Sequence, residues 1–166
     1  MYICYDQMFP EVTRQLTANG AEILVKCSAY MDPWTLGEID WWTMTNRMRA
    51  AENLAYGINC QQGSSLSDIP PFSWGGHSMV VDYEGRILAE AGRGECIIGT
   101  QVNIDAVRYH RKQVRQHNMI AHLKTGAYTY MNEEFYPRHP EWLKSKDLTP
   151  GMISSAVKKV IEKRFK

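Results

Sequence analysis

The residues with the clearest chemical potential lie around Cys4. Tyr2 and Ile3 precede it, and a short turn containing Asp6 leads from it to Pro10. Aromatic and β-branched residues favour a strand, and proline is preferred at the first position of a helix. We therefore predict a cysteine on a tight strand-to-helix turn, where its side chain is accessible and backbone N–H groups point outward.

A cysteine in this setting can act as a nucleophile. A free thiol has a pKa of ~8.5, and nearby positive charge or helix dipoles increase its thiolate fraction. The backbone N–H of Tyr5 could donate a hydrogen bond to the oxyanion that forms when Cys4 attacks a carbonyl. The alternative is that Cys4 is a small buried apolar residue, as free cysteine often is.

Residues that could shape a substrate pocket follow the next predicted strand, which runs from Glu22 to Cys27. In α/β folds, the loops at the carboxyl ends of strands carry binding sites. The loop after this strand should therefore lie beside Cys4, and its candidate pocket residues are Ser28, Tyr30 and Trp34. The alternative is a plain connection with aromatic side chains at the surface.

Helices and strands alternate along most of the chain, as in an α/β fold. Gly20 is placed to end the helix that Pro10 begins, and Thr35 and Glu38 form a capping-box pattern for a long helix to about Leu54. The later predicted elements are a strand over 55–61, a hairpin of 77–82 and 86–89 that turns at Glu84 and Gly85, a strand over 95–102, a helix from Asn103 to about Arg115, and a last helix from Pro150.

Four segments, taken in order, resemble the sequences of the nitrilase, or carbon-nitrogen hydrolase, superfamily. They are the cysteine segment ICYDQMFPE, the segment NGAEILV from Asn19, the segment NRMRAAEN from Asn46, and Gly76-His77-Ser78 with the hairpin that follows it. Their order and spacing together are specific. The resemblance covers residues 1 to about 103, and residues 118–128 more loosely resemble the tail of the aliphatic amidase and formamidase branch.

The resemblance implies both a fold and a reaction. The fold is an α-β-β-α sandwich, usually paired through helices into a dimer, and this chain corresponds to its C-terminal half, with the N-terminal half missing. The reaction is hydrolysis of a non-peptide C–N bond through a cysteine thioester, without a cofactor. The family also uses a glutamate base and a lysine that stabilises the oxyanion, and of these three catalytic residues only the cysteine maps onto this chain, at Cys4.

Two divisions of the chain follow from the resemblance. Residues 1–103 are expected to form a partial carbon-nitrogen hydrolase domain, and residues 104–166 a C-terminal helical extension. The expected substrate is a small aliphatic amide or formamide, and a carbamoyl compound or a nitrile stays open.

Composition excludes several function classes. The chain has 166 residues with 19 basic and 18 acidic side chains, a formal net charge of +1, which argues against nucleic-acid or membrane binding by bulk charge. The four cysteines show no Cys-x-x-Cys pairing, so neither a zinc site nor a disulfide framework is expected. No signal peptide and no membrane-spanning apolar run is found. We therefore expect a reduced, cytoplasmic protein.

Two alternatives to an active amidohydrolase remain open at this stage. In the first, the chain is a fragment without activity of its own, because the base and the oxyanion lysine are absent; Glu11, Glu52 and His77 could in principle substitute, but nothing in their spacing requires it. In the second, the chain is a non-catalytic oligomerisation subunit whose contact surfaces are the helix over 41–53 and the basic last helix.

Overall fold

The computed structural model describes residues 1–31, 40–113 and 118–128, together with four single residues near the carboxyl end. The chain divides into two compact units, Met1–Leu123 and Lys124–Lys166. The first unit contains the sheet and the three helices that accompany it. The four single residues, at 151, 155, 158 and 162, are helical and lie within the predicted last helix.

A five-stranded sheet forms the centre of the first unit. The strands lie in sequence order, with the first three parallel and the last two antiparallel to their neighbours. A short turn is enough to join antiparallel strands, whereas parallel strands require a crossover, which here contains a helix. The strands are β1 (Tyr2–Ile3), β2 (Ile23–Ser28), β3 (Tyr56–Gln61), β4 (Met79–Val81) and β5 (Ile87–Glu90).

Three helices accompany the sheet: α1 (Pro10–Ala18), α2 (Trp41–Ala51) and α3 (Ile104–Lys112). Short 3-10 helices cover Cys4–Met8 and Thr125–Ala127. The side chains of Asp40 and Asn103 cap α2 and α3, because each accepts a hydrogen bond from a backbone N–H in the first turn, at 2.9 and 3.0 Å. Polar caps of this kind satisfy N–H groups that have no partner within the helix.

One face of the sheet is covered by α1 and α2. Register places the inward residues of β1 to β4 in rows across this face, for example Leu24, Gly57 and Val81. The buried groups against the helices are Tyr2, Leu24 and Ala55 with Val12 and Leu16, and Met79 and Val81 with Trp42 and Ala50. This packing places α2 against β3 and β4 and beside the Cys4–Met8 turn.

The opposite face of the sheet is open among the described residues. Ile3, Cys27 and Cys60 form a row across three strands, and all three are exposed, Ile3 by 58%. Leu88 on β5 is also exposed. The described residues therefore form two layers, a single mixed sheet and the helices that cover one of its faces.

The strand predicted over Glu95–Val102 is wrong. These residues belong to no strand or helix, and they include Ile97, whose side chain is fully exposed. The apolar and β-branched residues predicted a strand, but a strand also needs a neighbour to accept and donate its backbone hydrogen bonds. In the part of the chain that the structure describes, β5 pairs only with β4, so this segment has no such neighbour.

The predicted start of the long helix is also wrong. Residue 40 is not helical, and α2 begins at Trp41 with Asp40 as its cap. The capping-box residues Thr35 and Glu38 lie outside the described residues. The other element predictions are confirmed to within one or two residues. They are the helix from Pro10 to Gly20, the strands β2 and β3, the hairpin with Gly85 at its turn, and the start of α3.

Gly76 stands at a point where two loops touch. Its φ angle is +65°, and a Cβ atom there would lie 2.5 Å from the backbone of Arg93. Its N–H donates to the carbonyl of Gln62 at 3.2 Å, while the N–H of the preceding Gly75 donates to the carbonyl of Tyr30. Only glycine allows this close approach, which holds the loop after β3 against the segment after β5, while the Gly75 bond ties the same loop to the loop after β2.

Replacing Gly76 with alanine should therefore destabilise the fold. A side chain in the left-handed region costs about 1–3 kcal/mol, and the contact with Arg93 adds to that cost, so we expect a lower free energy of unfolding in urea. Gly92→Ala is the matched control, because a Cβ at Gly92 would meet no atom within 4 Å. Equal losses in the two variants would contradict this account.

Candidate active site

Cys4 lies at the junction of β1 and α1 in a strained conformation. Its φ angle is +46°, in the left-handed region that non-glycine residues rarely adopt and that is found preferentially at functional sites. Asp6 holds the turn: its carboxylate accepts a hydrogen bond from the N–H of Ile3 at 3.0 Å, and its carbonyl accepts one from the N–H of Phe9 at 3.1 Å. The predicted tight strand-to-helix turn is confirmed.

Lys26, on β2, is a buried lysine of the sheet that contacts the Cys4 turn. It is fully inaccessible to solvent and pairs in register with Tyr2 of β1. Its ammonium donates to the amide oxygens of Gln7, in the Cys4 turn, and of Asn46, on α2. The nitrogen also lies 3.7 Å from the ring centre of Trp42, so an aromatic face and two amide oxygens surround it.

The surroundings of Lys26 change its acidity strongly. Burial disfavours the ammonium and lowers the pKa of Lys26 from 10.5 to about 6, the charge of Cys4 acts in the opposite direction, and the charge of Arg49 lowers the pKa further. Both hydrogen-bond partners are neutral amides, which orient an ammonium without compensating its charge. Lys26 is therefore poised to exchange a proton near neutral pH.

A second cation fastens α2 to the same turn. The Arg49 Nε donates to the carbonyl of Gln7 at 2.9 Å, and its Nη1 lies 2.7 Å from a carboxylate oxygen of Glu52. Both side chains are about 10% exposed. The Arg49–Glu52 ion pair is therefore buried rather than solvated.

Tyr30, in the loop after β2, is held by the side chain of Gln61. Its backbone N–H donates to the Gln61 side-chain oxygen at 2.9 Å, and its carbonyl accepts from the same amide at 2.6 Å. Its ring packs against Trp42, with the ring centres 6.2 Å apart. Burial raises the pKa of Tyr30, and the negative charges of Cys4 and Tyr5 raise it further, so the three side chains share one electrostatic environment.

The structure thus brings together three of the five predicted site residues. Cys4, Tyr5 and Tyr30 lie around one turn, although the Tyr5 ring is 61% exposed and packs on Phe9. Ser28 is the last residue of β2, with a buried hydroxyl that has no hydrogen-bond partner in the structure. Trp34 lies outside the described residues. The roles assigned to all five stay predictions.

The family follows from a match over most of this unit. A model of the carbon-nitrogen hydrolase family matches residues 1–112. The chain belongs to the carbon-nitrogen hydrolase family. The matched residues include Cys4, the five-stranded sheet and the helices α1, α2 and α3, and the division of the chain at residue 103 stays a prediction.

Related proteins of this family include enzymes that are named for amide hydrolysis. A formamidase of Bradyrhizobium sp. strain ORS 278 is 38% identical over 114 residues, which cover 67% of this chain and 32% of the relative. A formamidase of Pseudomonas syringae pv. syringae is 32% identical over 147 residues, covering 80% and 41%. The chain thus spans about a third to two fifths of the length of these carbon-nitrogen hydrolases.

The fold agrees with that of a solved member. The structure of Saccharomyces cerevisiae Nit3, a member of branch 10 of the nitrilase superfamily, matches with a TM-score of 0.60 at 33% identity, over 68% of this chain and 40% of that chain. This confirms the nitrilase-type α/β fold of the present carbon-nitrogen hydrolase chain.

Within residues 1–31, 40–113 and 118–128, no group of three or more histidine, cysteine, aspartate or glutamate side chains is placed to hold a metal ion. No helix in that part of the chain has the length and apolar character needed to cross a bilayer.

Sequence reasoning missed the buried polar residues around the cysteine. Lys26 interrupts the apolar strand sequence at an inward position, two residues after Leu24, and alternation in a strand places such residues on the same face. That alternation was a usable signal for a buried lysine. Nothing in the spacing of Gln7 and Asn46 shows that they meet Lys26, because the helix that carries Asn46 reaches the site only through tertiary packing.

The buried Lys26 should make stability depend on pH. The unfolded chain keeps the lysine proton up to about pH 10.5, whereas the folded chain loses it near pH 6. Between these values the unfolded state binds more protons, so the free energy of unfolding should rise with pH, by up to about 1.4 kcal/mol per unit from this group.

Urea unfolding of the parent and of Lys26→Met at pH 7, 8 and 9 measures this effect. The unfolding free energy of the parent, relative to that of Lys26→Met, should rise with pH, because methionine has no proton to lose. Lys112→Met, at the exposed end of α3, is the control and should leave the pH profile of the parent unchanged. A pH-independent difference for Lys26→Met would rule out its depressed pKa.

Proposed function

We propose that this chain carries the nucleophile of an enzyme that hydrolyses small amides to carboxylate and ammonia or amine. Cys4 is the nucleophile, and the N–H of Tyr5 is one donor to the oxyanion. Ser28, Tyr30 and Trp34 help to shape the substrate pocket. The observation that carries the proposal is the strained position of Cys4, held on its turn by buried contacts, in a chain of the carbon-nitrogen hydrolase family.

The reaction would proceed in two halves. The Cys4 thiolate attacks the amide carbon, the new S–C bond forms, and the carbonyl electron pair moves to the oxygen, where N–H donors stabilise it. The oxyanion then collapses, the C–N bond breaks, and the departing nitrogen takes the proton that a general base had removed from the Cys4 thiol. Water gives a proton to the same base and attacks the resulting thioester. The C–S bond then breaks, and the departing Cys4 thiolate takes that proton back.

The base and the oxyanion lysine implied by the family resemblance are proposed to come from outside the matched segment. Two candidates for a substitute base are already paired: Glu52 with Arg49, and His77 with Glu90 at 3.0 Å. General base catalysis contributes about 10²–10⁴-fold. We therefore propose that the 166-residue chain by itself is inactive.

The substrate is proposed to be a small aliphatic amide or a formamide. Relatives named formamidase and 2-oxoglutaramate amidase support this class, and so does the similarity of residues 118–128 to the formamidase branch. All four cysteines are free thiols, which supports a reducing, cytoplasmic setting.

The decisive experiment is ammonia release from formamide and short aliphatic amides by the full gene product that contains these residues. Changing Cys4 to alanine should lower kcat/KM at least about 1,000-fold, because no covalent path remains. Cys27→Ala is the matched control, since Cys27 is an exposed thiol on the open sheet face, and it should keep the parent rate.

A Cys4→Ala variant with the parent rate would disprove the proposal. The 166-residue chain is a second arm of the same assay and should release no ammonia above the blank. Saturable release by that chain would refute the proposal that it is inactive alone, while leaving the role of Cys4 intact.

We also propose that copies of the chain associate through α2. Trp41, Met44 and Met48 are each 41–45% exposed, lie at helical spacing, and line a groove that extends to Gly85 of the hairpin turn. Arg47 donates to the carbonyl of Gly85 at 2.7 Å, which fixes the groove. Exposed apolar patches of this kind mark interaction surfaces, and the family resemblance implies pairing through helices.

Light scattering at micromolar concentrations tests this association. Met44→Glu combined with Met48→Glu should shift the protein towards the monomer, because carboxylates would be desolvated at the interface. Leu66→Glu, which changes a 76% exposed leucine in a loop, should leave the oligomeric state unchanged. A parent protein that is monomeric throughout this range would count against the proposal.

A further inference from the structure

Cys27 and Cys60 have no role in the proposed reaction, yet the sheet places them side by side. They are partners in the register of the parallel strands β2 and β3. Residues paired in this way project from the same face of a sheet, and neighbouring strands lie only about 4.7–4.9 Å apart. Both cysteines are free and exposed on the open face. Two thiols therefore share one accessible patch on the face opposite the helices.

The backbone on both sides of the cysteine pair is fixed by the sheet. Before the pair, Val25 lies opposite Ile58 in the same register. Beyond the pair, the N–H of Gln62 donates to the carbonyl of Ser28 at 3.1 Å, so the ladder of backbone hydrogen bonds continues. The two cysteine Cα atoms are therefore held at a set separation, and a ligand between the sulfur atoms can bind without rearranging the strands.

The two thiols interact electrostatically. Partial burial raises the pKa of the Cys60 thiol, and the negative charge of Cys27 raises it further. Two adjacent thiolates repel each other, so the pair does not readily hold both charges by itself. A cation bound between the sulfur atoms removes that repulsion and takes the place of both protons. The charge pattern of the pair therefore favours a cationic ligand.

The surroundings of the pair select a soft cation with few ligands. Thiolates prefer soft metal ions such as monovalent copper, whereas magnesium and calcium prefer oxygen ligands. Ile3 flanks Cys27 in the same row, and Val25 and Ile58 form the next row of this face, so these neighbours are apolar. Tetrahedral zinc needs four ligands, and the part of the chain that the structure describes holds no group of three histidine, cysteine or carboxylate side chains placed for a metal ion.

A linear two-coordinate ion also fits the spacing of the strands. A bond between a metal and a thiolate sulfur is about 2.3 Å long in zinc sites, and a similar length applies to monovalent copper. A linear sulfur–metal–sulfur unit therefore spans about 4.6 Å, which is close to the separation of neighbouring strands. Two in-register cysteines are thus sufficient to complete such a site.

We propose that Cys27 and Cys60 form a dithiolate site that binds one soft, two-coordinate cation, for which monovalent copper is the representative ion. Two S–H bonds break, two sulfur–metal bonds form, and both protons pass to solvent, with no change in oxidation state. The site uses neither Cys4 nor any other residue assigned to amide hydrolysis, so this inference does not depend on the proposed function.

Titration of the 166-residue chain with monovalent copper tests the inference. Oxygen is excluded, ascorbate keeps the copper reduced, and a coloured copper chelator competes for the ion. A chain in which Cys4 and Cys96 are changed to serine should bind one copper ion as tightly as the parent does. Changing Cys27 or Cys60 to serine in that background should weaken binding at least about 100-fold, because a single thiol loses the advantage of two linked ligands.

The matched control is the chain that keeps Cys4 and Cys96 and has Cys27 and Cys60 changed to serine. It carries the same number of thiols and should bind copper at least about 100-fold more weakly than the parent. Equal affinity in the two double variants would overturn the inference, and so would a pair that forms a disulfide under these reducing conditions. Tight binding of zinc by the pair would contradict a two-coordinate site.

A measurement on the unchanged chain decides the question if a variant does not fold. Iodoacetamide labels free thiols, and peptide mapping by mass spectrometry reports each cysteine separately. One equivalent of monovalent copper should protect Cys27 and Cys60 together, while Cys96, an exposed thiol outside the strands, stays reactive. Protection of only one member of the pair, or of all cysteines alike, would overturn the assignment of a dithiolate site.

Discussion

The hydrogen bond from Arg49 to the carbonyl of Gln7 is the contact on which the rest of the site depends. Cys4 occupies a left-handed conformation that its own side chain disfavours, so the turn persists only if its surroundings hold it. The bond fixes the turn to α2, and Glu52 keeps the guanidinium in place. Because α2 also packs on the sheet, the position of the thiol is set by the core rather than by the loop.

Stability and reactivity make opposite demands on the core beneath the turn. A sheet of this size gains most from apolar inward residues, yet Lys26 and Asn59 occupy one inward row, next to Tyr2 and Met79. Tyr2 and Asn59 approach each other at 3.4 Å, and Lys26 turns towards Gln7. Polar residues are thus concentrated where the carboxyl ends of the parallel strands approach Cys4, while the rows further from it are apolar. Such a departure from a purely apolar core is characteristic of functional sites.

Local signals in the sequence were sufficient for elements whose ends depend on a few neighbouring residues. Pro10 begins α1 and Gly20 follows its end with a positive φ angle, because both preferences come from the backbone of a single residue. The strand expected over 95–102 failed for the opposite reason, since only a neighbour in space can complete a strand. The polar cluster around Lys26 depends on three separate elements, and no pattern within one of them contains its geometry. The sequence therefore predicted where the cysteine lies, but not what holds it.

The open face of the sheet also affects how firmly β1 and the Cys4 turn are held. Ile3 is exposed immediately before Cys4, and the row that continues through Cys27 and Cys60 has no cover among the described residues. An apolar layer packed on that face would bury Ile3 and restrict β1, and with it the residue whose strained φ angle defines the turn. Tyr2, one residue earlier, is already buried on the helical side. The short β1 is thus fixed on one face only, so the structure holds the thiol from beneath and leaves the other face of its strand to be restrained by whatever packs there.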